Sequence, residues 1–212
     1  MNVGSLSIEL KFDLNSSSCD LPLRSPAKHI QAVCERDIYY DVAGTFSLLR
    51  SGCFMRIRNA NVLEFKFDGS HSAVHEYCYE TAFQVPLNAS ESEHLVHSLC
   101  RAGLRIPTEL SSVQNILVEN GLSVLVNVNK ARQVFAVGGF TVCRDDVEDL
   151  GRYLEIEFCT SELDCDVKAI TQRMRELISD PDLPIVRTGY VELLLARQRP
   201  ELIASGVLPQ PR

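Results

Sequence analysis

The feature that most constrains this chain is a set of charged residues spaced two apart, set in segments that otherwise alternate like β-strands. Glu9 and Lys11 lie in Ser7-Ile8-Glu9-Leu10-Lys11-Phe12, Arg56 and Arg58 flank Ile57, Glu64 and Lys66 flank Phe65, and Glu155 and Glu157 flank Ile156. Glu76 and Glu80 share one parity of a further segment. Residues i and i+2 of a strand point to the same side of the sheet. Each of these strands therefore has one apolar face and one charged face. A half-solvated antiparallel sheet would also alternate. Its solvent face, however, usually mixes charges with Ser, Thr and Gln, and Arg-x-Arg or Glu-x-Glu crowds like charges that repel unless something lies between them. The pattern predicts a sheet curled into a barrel with a charged lumen and apolar packing outside. Such a lumen suits an anion together with the metal that neutralises it.

The remaining composition narrows the class. A chain of 212 residues with 45% hydrophobic and 23% charged residues is a globular domain with a real core. Its formal charge of −7 argues against nucleic-acid binding by bulk electrostatics. The eight cysteines form no C-x-x-C, and no histidine cluster accompanies them at zinc spacing. There is no signal-like apolar region before Glu9, and no apolar run approaches the roughly 20 residues of a membrane span. The reading is a cytoplasmic, monomeric protein with reduced thiols and no membrane or nucleic-acid partner.

Along the chain, strands are predicted at residues 4–12, 34–41, 53–58, 62–68, 75–85 and 152–159, with two or three more between 122 and 144. A helical turn is expected near 46–49. Residues 27–33 read as a short helix. Ser90, with Glu93 at capping-box spacing, is expected to cap a helix ending near Ala102-Gly103. Further helices are expected over 111–119, 164–178 and 188–198. Val124, Val126 and Val128 share parity with Lys130 and Arg132, which predicts a bulge or strand end near Asn129-Lys130. The fold class is α+β, one domain over 1–200 with a loose tail over 201–212.

The charged residues fall into two sets. Lys11, Arg56, Arg58, Lys66, Lys130 and Arg132 could line one wall of the lumen, since guanidinium and ammonium groups bind phosphate oxygens. Glu9, Glu80, Asp145, Glu155 and Glu157 could line the other and hold a divalent cation. Together they are the parts for metal-assisted phosphoryl or nucleotidyl transfer. His29, His71, His75, His94 and His97 show no paired metal spacing, and Glu64 reads as a member of an ion pair or as a metal ligand.

These residues carry a resemblance. Ser-Ile-Glu-Leu-Lys-Phe resembles the E-x-E-x-K strand of the CYTH superfamily, the triphosphate tunnel metalloenzymes. Arg36-Asp37-Ile38-Tyr39-Tyr40-Asp41 resembles that family's R-D-x-Y-Y-D, Phe54-Met55-Arg56-Ile57-Arg58 its L-R-x-R strand, and Leu63-Glu64-Phe65-Lys66 its E-x-K strand. The run from Asp145 to Gly151 with Leu154-Glu155-Ile156-Glu157 is similar to D-x-V-x-x-L-G…E-x-E, and Tyr190 to Leu194 to the closing S-Y-x-x-L-L. The order is collinear over roughly 4–200 and is most like the thiamine triphosphatase branch.

The resemblance implies an eight-stranded antiparallel barrel that holds a triphosphate end-on, with Mg²⁺ or Mn²⁺ as cofactor. It implies Glu9, Glu155 and Glu157 as metal ligands, supported by Asp145 and Glu80. It implies Lys11, Arg56, Arg58, Lys66, Lys130 and Arg132 as phosphate contacts, with water attacking the terminal phosphoryl group in line. By the same analogy Tyr39 faces inward, and it and Lys11 are the candidate catalytic groups. Three departures stand out. Ser7 replaces the first Glu of E-x-E-x-K. Gly189 replaces the Ser of S-Y, and Tyr190 aligns with a basic residue of the thiamine triphosphatase branch, with Arg187 a candidate substitute. Phe54 stands where that branch has a Trp against the thiamine ring. The implied activity is a triphosphatase acting on thiamine triphosphate, tripolyphosphate or a nucleoside triphosphate. The rivals are a class IV adenylate cyclase and a polyphosphate- or nucleotide-binding module that has lost turnover.

Overall fold

The structure is a computed structural model that describes residues 5–68, 77–160, 165–208 and 210. Its strands are β1 (Ser5–Asp13), β2 (Lys28–Val42), β3 (Cys53–Arg58), β4 (Val62–Asp68), β5 (Tyr77–Gln84), β6 (Leu122–Val137), β7 (Phe140–Val147), β8 (Gly151–Thr160) and β9 (Ile185–Val186). They form one sheet in the order β5-β4-β3-β2-β6-β7-β8-β1-β9, and β5 also pairs with β1. β1 to β8 thus close into an eight-stranded antiparallel barrel, as the alternation predicts. On its closing edge β1 is shared. Ser5–Ile8 pair with β5, while Lys11 and Phe12 pair with the short β9.

Alternation decides which side chains face in. On β1, Leu6, Ile8, Leu10 and Phe12 are buried in apolar packing, whereas Ser7, Glu9 and Lys11 line the interior. The outer face is covered by helices α1 (Ser47–Arg50), α2 (Ser92–Arg101), α3 (Val113–Glu119) and α4 (Val167–Glu176). α4 sets Ile170 and Met174 against Ile8, Leu10, Leu154 and Ile156. α2 and α3 set Leu95, Leu99 and Ile116 against Met55, Leu63 and Phe65. Burying each such side chain contributes about 1.5–3 kcal/mol, which makes these two seams the main apolar support of the barrel wall.

A third cluster lies on the interior side. α5 (Tyr190–Gln198) packs Tyr190, Val191, Leu194 and Leu195 against Tyr39, Val126 and Val128. This explains the parity that suggested a bulge near Asn129-Lys130. β6 runs unbroken through that point, and its inward face changes from apolar under α5 to charged beyond it. The irregularities lie elsewhere in the β2–β6 ladder, at His29/Gln31 and Tyr39/Tyr40.

Other local expectations are corrected. Residues 27–33 are not helical. From Lys28 the chain is strand, because it pairs along β6 as far as Ala136, and that ladder outweighs local preference. Ser90 is not the helix cap. Asn88, two residues earlier, accepts from the Ser90 amide at 3.1 Å and starts a 3₁₀ turn, Ala89–Glu91, that leads into α2. Beyond Pro200 the described residues are packed, not loose. α6 (Glu201–Ala204) forms, and Leu202 and Leu208 bury themselves beside Leu194 and Leu195. Glu76, His71 and His75 lie outside the described residues. Gly138-Gly139 joins β6 to β7, both glycines taking positive φ in a two-residue hairpin that requires it. Among the described residues no helix is long and apolar enough to cross a membrane.

Candidate active site

The barrel register places charges against one another with a simple rule. Six interior cations each stand directly opposite a carboxylate on the neighbouring strand: Lys11 opposite Glu155, Arg56 opposite Glu64, Arg58 opposite Asp37, Lys66 opposite Glu80, Lys130 opposite Glu35 and Arg132 opposite Asp145. One interior pair breaks the rule. Glu9 stands opposite Glu157, carboxylate against carboxylate. Directly opposed like charges destabilise a sheet unless a cation comes between them.

The paired cations are held tightly. Arg132 grips Asp145 through two bonds, at 2.7 and 2.6 Å, contacts Glu155, and reaches Glu157 at 3.3 Å. Arg58 grips Asp37 in the same two-pronged way at 2.7 and 2.8 Å and lies 2.9 Å from Glu35. Arg56 bonds Asp37 at 3.0 Å and Glu64, and donates to the Tyr39 hydroxyl at 2.8 Å. Lys130 is 3.1 Å from Glu35. Lys11 is 3.2 Å from Glu155, donates to the Thr188 carbonyl at 3.3 Å, and sits over the Tyr190 ring at 4.0 Å. Lys66 bridges Glu9 at 2.7 Å and Glu80 at 3.0 Å. Two-pronged arginine bonds to carboxylate fix a plane and a direction, so the guanidinium groups are pre-aimed.

Burial and charge then set the protonation states. Burial pushes Glu157 up, Arg132 opposes it, and the nearby Glu9 and Glu155 charges add to the rise, leaving its carboxyl at about 7. Burial would also raise Glu155 and Glu80, but cations win in both cases. Lys11 and Arg132 hold Glu155 well below the usual carboxylate range, and Lys66 and Arg56 bring Glu80 down to about 2. Burial raises the Tyr39 and Tyr190 phenols, so both stay protonated near neutrality. The Cys78 thiol is likewise held up by burial.

A cavity of about 210 Å³ opens in the barrel interior. Of the residues predicted for the site, Lys11, Tyr39, Phe54, Arg56, Arg58, Lys66, Lys130, Arg132, Glu9, Glu80, Glu155 and Glu157 all line it. Asp145 does not. It is fully buried on the inward face beneath its neighbours, where its oxygens hold Arg132 and accept from the Tyr190 hydroxyl at 3.0 Å. The picture of one basic wall facing one acidic wall is also corrected, because the register interleaves the two signs strand by strand. Glu64 is confirmed as an ion-pair partner, to Arg56. Arg187 lines the cavity from the loop before α5 as an exposed side chain.

Several site residues escaped the sequence reading. Glu35 and Asp37 share the inward parity of Tyr39 and orient Arg58 and Lys130. The i, i+2 spacing of Glu35, Asp37 and Tyr39 within the strand predicted over 34–41 is the available signal. Tyr190 closes the cavity from α5. Cys78 lies opposite Ser7 on the barrel-closing pair and faces the cavity. Asp41, also inward by parity, is spent on structure. It accepts from the amides of Leu48 and Leu49, both at 2.9 Å, and so caps α1.

A divalent cation fits the donor set. Glu9, Glu80 and Cys78 each bring one ligand atom within 4.8 Å of the others, and Glu157 faces Glu9 with no cation in register.

Comparison with known proteins places this architecture. Among solved structures, PH1819 of Pyrococcus horikoshii OT3 superposes with a TM-score of 0.61 at 21% identity, covering 90% of this chain and 99% of that one. A proposed adenylate cyclase from Vibrio parahaemolyticus gives 0.57 at 19% identity over 91% and 99% of the two chains. HpAC1 of Hippeastrum, assigned as an adenylyl cyclase and described as having a dominant triphosphatase activity, gives 0.51 at 19% identity over 92% and 95%. No curated protein sequence matches. These likenesses speak to the fold. The family model for the CYTH domain matches residues 5–183, which spans every barrel strand from β1 to β8, and the chain therefore belongs to the CYTH family.

Proposed function

We propose that this protein is a metal-dependent triphosphatase that admits a triphosphate into the barrel and hydrolyses its terminal phosphate, with thiamine triphosphate or a related triphosphate as substrate. The observation that carries this reading is the register: six interior cations each stand opposite a carboxylate, and one carboxylate pair, Glu9 and Glu157, stands face to face, contacted only from the side by Lys66 and Arg132. The backed cations are donors whose direction is fixed before substrate arrives, and pre-organised charge is the main contribution a protein makes to phosphoryl transfer.

In this reading Lys11, Arg56, Arg58, Lys66, Lys130 and Arg132 exchange part of their carboxylate contacts for phosphate oxygens. Asp145 and Asp37 keep the guanidinium planes of Arg132 and Arg58 oriented. Tyr39 accepts from Arg56 and keeps its own proton for a phosphate oxygen. Glu9, Glu80, Glu155 and Glu157 would hold Mg²⁺ or Mn²⁺, which when bound neutralises phosphate charge and polarises the phosphorus. Water attacks the terminal phosphorus in line, the bridging P–O bond breaks, and inorganic phosphate leaves. Phe54 offers a ring face for a cationic heterocycle at the cavity wall.

The test is phosphate release from thiamine triphosphate, tripolyphosphate and ATP, with and without Mg²⁺ or Mn²⁺. Metal-dependent release is expected, and preference for thiamine triphosphate would name the substrate. Cyclic AMP formed from ATP without phosphate release would make the protein a cyclase. Binding of tripolyphosphate with no turnover of any substrate would reduce it to a binding module.

A further inference from the structure

We infer that the Cys78 thiolate joins Glu9 and Glu80 as a metal ligand, giving this tunnel a mixed sulfur–oxygen site that takes zinc-like borderline metals in preference to magnesium. The inference rests on the metal-dependent reading above and specifies which metal the site accepts.

The geometry is local to the pair that closes the barrel. Cys78 on β5 stands opposite Ser7 on β1, and Glu80 follows two residues later on the same inward parity. Glu9 follows Ser7 in the same way on β1. One ligand atom from each of Glu9, Cys78 and Glu80 falls within 4.8 Å of the other two, which is the spread that a single ion spans. The Cys78 Sγ lies 3.4 Å from a Glu80 oxygen. The site already gathers a cation, because the Lys66 ammonium sits 2.7 Å from Glu9 and 3.0 Å from Glu80. Both carboxylates and Lys66 are about a quarter exposed, at 27%, 26% and 29%, so an ion can enter and the ammonium can swing away toward a phosphate.

Ser7 supplies the reason a thiol is needed. A carboxylate at that position would complete an all-oxygen site suited to Mg²⁺. Ser7 instead offers a hydroxyl, engaged with Glu9 at 3.4 Å. Among the described residues the third donor atom within 4.8 Å of both carboxylates is sulfur. Thiolate with carboxylate selects Zn²⁺, Co²⁺ and Cd²⁺ over Mg²⁺ by ligand softness, and three protein ligands leave a fourth position open to a phosphate oxygen. On binding, the S–H bond breaks, its proton passes to buffer, and a sulfur–metal bond forms. No oxidation state changes. The other thiol beside Ser7, that of Cys159, contacts the Ser7 hydroxyl at 3.8 Å and lies outside the three-atom cluster.

The experiment uses the full chain, reduced and stripped of metal, titrated with Cd²⁺ while the near-ultraviolet thiolate-to-metal charge-transfer band is followed. The expected result is a band that saturates at one equivalent, disappears in Cys78→Ser, persists in Cys159→Ser, and needs at least tenfold more Cd²⁺ in Glu80→Gln. Glu80→Gln keeps the test open should Cys78→Ser misfold, since Glu80 is at the cavity and not in the apolar packing. A band of equal amplitude in Cys78→Ser, its loss in Cys159→Ser, or Glu80→Gln binding as tightly as the parent would overturn the inference. A band without phosphate release under any metal would refute the triphosphatase reading while leaving the site. Phosphate release without the band would refute the site alone.

Discussion

Replacing Glu157 by Gln should remove most of the pH dependence of stability above the acid range. The carboxyl of Glu157 rises from its ordinary 4.5 to about 7 in the fold, first because it is buried and then because Glu9 and Glu155 are close. A raised carboxyl binds its proton more tightly folded than unfolded. Its contribution is therefore complete below about pH 4.5 and is lost as pH climbs through about 7. At about 1.4 kcal/mol per unit, the shift corresponds to roughly 3 kcal/mol lost across that interval. Glu35, Asp37, Glu80 and Glu155 move the other way. What they contribute is present above their unfolded values and is lost only as pH falls, so they leave the window between about pH 5 and 8 to Glu157. Urea denaturation in chelator at several pH values would measure this directly. The parent should weaken from pH 5 to 8 by roughly 2–3 kcal/mol, and Glu157→Gln should stay nearly flat and exceed the parent at pH 8. Mn²⁺ at pH 8 should stabilise the parent more than the variant and narrow the gap between them. Parallel curves for the two proteins would refute the argument that Glu157 is the group under strain.

Other perturbations separate structure from chemistry. Asp145→Asn leaves Arg132 short of its fully buried partner and should cost roughly 3 kcal/mol or more in denaturant titration, with the loss unaffected by added metal. Asp41→Ala strips the cap from α1 and should cost about 2 kcal/mol without altering metal affinity, as read by calorimetry. Phe54→Ala should raise KM for thiamine triphosphate roughly tenfold, by removing about 1–2 kcal/mol of ring stacking, while tripolyphosphate kinetics stay within twofold. Ser7→Glu should shift the metal preference toward Mg²⁺, measured as a lower Mg²⁺ concentration for half-maximal phosphate release; an unchanged requirement would show that position 7 does not reach the ion.

Much of the barrel was legible because its period is two. On β1, β3, β4 and β8 a pair of charged residues sits two apart around an apolar one, and those strands and their inward faces appear where the alternation puts them. β2 was only half legible. Its first part, Lys28 to Val33, has neither a clean alternation nor an apolar face, and only the ladder with β6 makes it a strand. The site was legible as a list and not as an arrangement. Nothing local in Lys11 or Glu155 says that they stand opposite each other, since register is a property of two distant segments. For the same reason nothing local shows that Asp145 stands opposite Arg132 and orients it. Cys78 stayed hidden because a lone thiol in a strand resembles any small buried apolar residue until its partners across the barrel are known.

The shared closing edge of β1 has a bearing on how this barrel opens. Among the described residues, β1 meets β5 through four pairs, Ser5 to Ile8, whereas β1 meets β8 through eight. Glu9 sits at the end of that short join on one strand, and Cys78 and Glu80 sit within it on the other. An ion held by all three would act as a rivet across one of the two shortest joins between the strands β1 to β8 among the described residues. Cargo capture and cylinder closure would then be one event. The amides of Leu6 to Ile8 should exchange with solvent early in the empty protein and late in the loaded one.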